Sequence, residues 1–216
     1  MNAREIYDIL RAGGLSRAGA LGMLGNMWAE SGLKENIAQR GMTPLTDDDY
    51  TKAADAGAIR FATDSVGYGL CQWTHHSRKE ALLRRAKSQG VSVGNGKMQV
   101  EFCVIELQSE FPELFKYLCS STDIDACSDR ICNTYERPAV NNYAARQNAA
   151  HRFEQEIPVF TPAVKDPVNA TFPPDPSVWT IQLVMSANGY WHKPDGRKSD
   201  EFFKALAVFC EDMKKC

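Results

Sequence analysis

The sequence predicts a mainly α-helical protein, and three patterns lead there. Apolar residues recur at helical spacing through most of the first 157 positions, residues that cap helices stand before those runs, and glycines stand after them. Asn2 caps a first helix carrying Ile6, Tyr7 and Leu10 on one side, and Gly13-Gly14 ends it. Ser16 caps a second, running to about Ser31 and stopped by Gly32. Ala20, Leu21, Leu24, Met27 and Trp28 give it an apolar body, while Gly22 and Gly25 leave room for close packing, the pattern of a buried central helix. From 33 to 67 the breakers Asn36, Gly41, Pro44, Asp47-Asp48-Asp49 and Gly57 predict loops, with a short helix over 49–58 and a small β-hairpin near 60–70. Further helices are expected at 77–89, 97–110, 112–119, 122–135 and 143–156.

Six of the ten prolines crowd between 158 and 177, which predicts an extended linker between a first domain, 1–157, and a small helical C-terminal module, 178–216. In that module Ile181-Gln182-Leu183, the turns Asn188-Gly189-Tyr190-Trp191 and Pro194-Asp195-Gly196, and the run Phe202, Phe203, Leu206, Phe209 read as helix, turn, turn, helix. A total of 216 residues allows one full domain plus such an appendage, and 44% hydrophobic residues suffice for a core. The net charge of −2 gives no field for gathering polyanions, so nucleic acid is not an expected partner. No export signal and no run of about 18 apolar residues is recognisable, so no membrane insertion is expected. Seven cysteines, an odd number in a chain that needs no staples, read mostly as free thiols made in a reducing compartment.

Two stretches carry chemistry. Glu30, at the end of the apolar helix, faces desolvation and the negative pole of the helix dipole, and both favour a carboxyl that keeps its proton. A general acid needs this, although a last-turn glutamate also reads as an ordinary surface residue. The stretch Asp64-Ser65-Val66-Gly67-Tyr68-Gly69-Leu70-Cys71-Gln72-Trp73-Thr74 combines permissive glycines, the flat faces of Tyr68 and Trp73, and the amide of Gln72. Such a set suits a sugar-binding cleft; equally, it reads as a glycine-rich turn with core aromatics. Asp64 supplies a second carboxylate.

Residues 1–157 resemble the phage tail-tip lysozymes, a peptidoglycan-cleaving branch of the lysozyme-like superfamily. The resemblance lies in Gly22-Met23-Leu24-Gly25-Asn26, Glu30-Ser31, Met42-Thr43-Pro44-Leu45, Asp49-Tyr50-Thr51, the 64–74 stretch, Ser77-Arg78-Lys79, Tyr135-Glu136-Arg137-Pro138 and Arg146. It implies a mainly α, α+β lysozyme-like fold in which Glu30 is the catalytic acid, Gln72 and Trp73 line the cleft, and Ser31 helps to hold Glu30. Tyr68 and Tyr135 are counted with the substrate-binding residues. Asp64 would act on the opposite face of the sugar, as nucleophile or by activating water. Without a second carboxylate, the substrate's own 6-hydroxyl would attack, as in a lytic transglycosylase. Glu136 reads as an ion-pair or hydrogen-bond anchor.

The C-terminal segment loosely resembles small peptidoglycan-binding modules, with Tyr190 and Trp191 as its wall-binding aromatics; the same residues also serve a helical pair that packs on the enzyme. The expectation is therefore a muramidase acting on bacterial peptidoglycan, with no cofactor and no metal. Its alternatives are a transglycosylase and a silent wall-binding tail protein. A thiol hydrolase of Cys71 with His75 or His76 lacks the usual arrangement, and the spacings of Cys119, Cys127 and Cys132 match no paired metal-ligand motif. A protein made in the cytoplasm reaches the wall through a phage-made membrane hole or on a virion, and its length favours a free endolysin.

Overall fold

The computed structural model describes residues 1–157, a mainly helical body. The chain divides between Pro158 and Val159, and the first unit is treated by itself. The expected 158–177 linker, the 178–216 module, and Tyr190 and Trp191 lie outside the described residues.

Helix α1, Ala3–Ala12, starts in a capping box: the Asn2 side chain accepts from the Glu5 N–H and the Glu5 carboxylate accepts from the Asn2 N–H. Helix α2, Arg17–Ser31, is capped by the Ser16 hydroxyl and ends at Gly32, whose φ of 63° is left-handed. It is buried from Ala18 through Met27, so it has no polar face to give to solvent and becomes the axis of the domain. Helix α3, Asp47–Asp55, begins two residues earlier than the 49–58 predicted, because Thr46 caps it and three aspartates favour its N-terminal pole. Against α2 pack α1, α6 (Pro112–Ser120), α7 (Ile124–Ile131) and α8 (Tyr143–Glu156), while α5 (Gly96–Glu110) packs on α1 and α6 and carries α4 (His76–Gln89).

Glycines decide how close these neighbours come. A Cβ built on Gly19 would lie 2.3 Å from the Leu118 carbonyl oxygen of α6, and one on Gly25 would lie 2.3 Å from the Arg146 carbonyl oxygen of α8. Backbone therefore packs on backbone, a separation that any side chain would prevent.

Two expectations change in detail. The helix foreseen over 122–135 is α only to Ile131, then widens into a π turn, Cys132–Glu136, ended by Arg137 at a left-handed φ of 49°. The hairpin expected near 60–70 shrinks to an antiparallel bridge between Tyr68 and Trp73, whose two backbone hydrogen bonds measure 3.2 and 2.9 Å, and a second bridge between Ala38 and Tyr68. The tight turn inside the first bridge demands positive φ at Gly69 (73°) and Gln72 (44°). It is anchored from α5 by the buried Gln99, which accepts from the Leu70 N–H and donates to Glu35 and Val93 carbonyls.

Cys71, Cys103, Cys119, Cys127 and Cys132 are free thiols, as the sequence predicts, and all but Cys119 are buried. No helix among the described residues is long and apolar enough to cross a membrane.

The close approach of α8 makes a measurable claim. Gly25→Ala should lower stability by about 1–3 kcal/mol, the usual cost of overpacking, and lower lytic activity with it. Thermal denaturation of parent and variant checks this; an unchanged midpoint would mean that α8 does not sit so near.

Candidate active site

Glu30 is the penultimate residue of α2 and lines a groove of about 1610 Å³. A chain of buried polar groups holds it. The Asn26 amide donates to the Ser128 carbonyl and hydroxyl at 3.1 and 3.3 Å, and its oxygen accepts from Arg146 Nη1 at 2.9 Å. Arg146 Nη2 then donates to Glu30 Oε1 at 2.6 Å. The Arg146 side chain is 5% exposed and that of Glu30 is 18% exposed, so the pair is shielded from solvent screening. Three helices, α2, α7 and α8, contribute to this relay, and their close packing sets where the carboxylate stands.

Across the groove a second acid is used in the opposite way. Glu106 of α5 accepts from Arg78 Nε at 2.6 Å and Nη2 at 2.8 Å, from the Tyr135 hydroxyl at 2.6 Å and from the Trp73 indole N–H at 3.0 Å. Arg78 also donates to the Tyr135 carbonyl, with its guanidinium 4.3 Å from the centre of the Tyr135 ring. With two bonds from a guanidinium fork and two from neutral donors, Glu106 is committed to its neighbours in the fold. It fixes α4, α5, the 68–73 turn and the π turn to one another.

Glu136, last residue of the π turn, also lines the groove. Its Oε1 is buried with no hydrogen-bond partner. Burial first, and then the nearby charge of Glu30, push this carboxyl well above the usual carboxylate range, against the opposing pull of Arg78 and Arg146.

The residues singled out in the sequence are divided by the structure. Glu30, Ser31, Gln72 and Tyr135 line the groove. Ser31 does not hold Glu30, however: its hydroxyl donates to the Met27 and Leu70 carbonyls, pinning the end of α2 to the 68–73 turn. Gln72 donates its amide N–H groups to the Ile37 and Gly69 carbonyls. Tyr135 is 1% exposed, its hydroxyl given to Glu106.

Tyr68 and Trp73 have no exposed surface, because each has found a partner inside: Thr51 for the Tyr68 hydroxyl and Glu106 for the indole. Their flat faces serve packing, with Tyr68 5.2 Å from Phe61 and Trp73 5.6 Å from Phe102 between ring centres. Asp64 is not among the residues lining the groove. Its Oδ1 accepts from Lys79 Nζ at 2.5 Å and its Oδ2 from the Tyr50 hydroxyl at 2.6 Å. The Lys79 side chain is fully buried, so this carboxylate is its necessary counter-charge. Cys71 is 2% exposed and burial pushes its thiol up, away from the thiolate that a nucleophile needs.

Sequence reasoning assigned no role to Glu106 or Arg78. The signal for the former was an acid inside the apolar run Val104-Ile105-Glu106-Leu107, since a buried acid demands donors.

A mainly helical body with a helix-end glutamate set into an open groove is the architecture of lysozyme-like enzymes. The sequence pattern of the phage tail lysozyme family matches residues 1–156, and the chain belongs to that family. Membership implies a lysozyme-like, peptidoglycan-lytic function. No curated protein matches the sequence.

Removing the charge of Asp64 separates support from catalysis. Asp64→Asn strands the Lys79 ammonium and should cost about 3 kcal/mol of stability. Turnover per folded molecule should fall far less than the ~10²–10⁴-fold expected on losing a proton-transferring group. Chemical denaturation alongside lysis rates normalised to folded protein gives both numbers.

Proposed function

We propose that residues 1–157 form a muramidase that cuts the β-1,4 bond between N-acetylmuramic acid and N-acetylglucosamine. The observation that carries this reading is the placement of Glu30. It stands at a helix end, braced on Oε1 by Arg146, in a groove of about 1610 Å³. Sites for single small molecules run to about 1,000 Å³, so the groove has room for a polymer. Glu30 gives a proton to the glycosidic oxygen as the C1–O bond breaks, and water completes the reaction at C1.

Two further features suit the wall polymer. The Gln72 amide oxygen has no partner among the described residues and can accept from an N-acetyl N–H. The exposed Lys34, Arg40 and Arg84 line the same groove and match the carboxylates of stem peptides. The enzyme reaches its substrate through a phage-made membrane hole or on a virion.

One observation favours a second reading. With Asp64 engaged by Lys79, the groove lacks the partner carboxylate that the sequence foresaw for hydrolysis, and attack by the substrate's 6-hydroxyl would make the enzyme a lytic transglycosylase.

Mass spectrometry of digested walls separates these. Reducing muramic acid ends are expected; 1,6-anhydro ends would replace hydrolase by transglycosylase, and reducing glucosamine ends would move the cut to the other bond. Glu30→Gln should slow release about 10²–10⁴-fold. A variant as fast as the parent would remove Glu30 from the reaction, and a folded parent that releases nothing would leave a silent wall-binding protein.

A further inference from the structure

We propose that the arm of the groove between α4 and α5 is a subsite for the stem peptide carried by N-acetylmuramic acid, so that peptide-bearing glycan is cut in preference to bare glycan. This deepens the reading given under Proposed function and rests on it.

Two helix stripes make the arm. Arg78, Ala81 and Arg85 recur on α4 at the three- and four-residue spacing that aligns side chains along one face, and Phe102, Ile105 and Ser109 do so on α5. Two ion pairs join the helices and give their direction. Arg78 forks onto Glu106, and Arg85 Nη2 donates to Glu101 Oε2 at 3.2 Å, so the helices run antiparallel. Arg78 also donates to the Tyr135 carbonyl, so the arm starts at the π turn and follows α4 to Ser88, which lines the groove as well. From Arg78 to Ser88 the rise of the helix is about 15 Å, the reach of about four or five extended residues.

The chemistry of the arm suits a short acidic peptide better than more sugar. Ile105 is 41% exposed, a large apolar side chain left uncovered in the groove, and with half-buried Ala81 it offers contact to the methyl groups of alanines. Phe102 is only 6% exposed and presents no open ring for a sugar to stack on. Toward the far end stand Arg84 and Arg85. Arg84 is exposed and has no partner among the described residues. The Nε of Arg85 is buried without an acceptor, so that cation is not fully satisfied within the fold. Glu110, the last residue of α5, lies at the opposite end of the arm, and Glu106 is neutralised by Arg78, which leaves the Arg84 end the more positive. A stem peptide leaves muramic acid through its lactyl group and ends in a free carboxylate. Laid along the arm from the π turn, it brings that carboxylate to two guanidiniums.

Two sets of soluble glycan fragments test this, one with stem peptides and one stripped of them by an amidase. The parent should prefer the peptide-bearing set by about tenfold or more in kcat/KM, carried by KM, the scale of a charge-assisted contact. Arg84→Glu reverses the charge, and the preference should shrink to within about twofold. Ile105→Ser keeps every charge and should reduce the preference about threefold or more by removing apolar contact. Both side chains are exposed, so both variants should fold as the parent does. Calorimetry with Glu30→Gln protein reads binding without turnover and should show the same preference. A parent that treats both sets alike overturns the proposal, as does either variant that keeps the parent's preference. If the parent cuts neither set, the reading under Proposed function fails, and the ratio of the two calorimetric affinities still decides whether the arm holds the peptide.

Discussion

Backbone contact between α2 and α8 is the constraint from which the site follows. Gly25 offers no side chain where the two helices meet, so Arg146 begins close enough to α2 to reach both Asn26 and Glu30. The same absence of bulk at Gly19 brings α6 against the other end of α2. A helix that is apolar all round would ordinarily hide a carboxylate at great cost. Here its last turn emerges at the groove, and one guanidinium supplies the charge compensation that solvent would otherwise provide.

Three of the glutamates that line the groove, Glu30, Glu106 and Glu136, show how surroundings give one side-chain type different uses. Glu106 accepts four hydrogen bonds and is a structural joint. Glu30 has one oxygen fixed by Arg146, which orients it. Glu136 has a buried oxygen with no donor at all. Moving along that series, an acid passes from fully neutralised scaffold to a group whose free energy depends on whether it carries a proton.

Much of the fold was legible in the sequence because local chemistry wrote it. The Asn2 and Ser16 caps, the Gly32 stop and the spacing of Leu21, Leu24 and Met27 all act within a few residues, so α1 and α2 could be placed without knowing what they touch. Glu30 was legible for the same reason, being defined by its place on its own helix. Partner choice was not. Tyr68 and Trp73 looked fit for sugars, but whether an aromatic faces a ligand or the core depends on distant groups, here Thr51 and Glu106. Asp64 was misjudged through Lys79, 15 residues away, whose burial no local pattern announces. The π turn was hidden because its hydrogen-bond register is set by packing rather than by propensity.

The buried cysteines carry a consequence for durability. Burial pushes the thiols of Cys71, Cys127 and Cys132 up, and Cys119, only partly covered, moves the same way. Since peroxide and oxidised partners attack through the thiolate, sulfur kept neutral and enclosed resists them. The four buried thiols are kept from crosslinking when the helical body meets aerated surroundings, so their lifetime there is governed by how often the core opens rather than by the chemistry of sulfur.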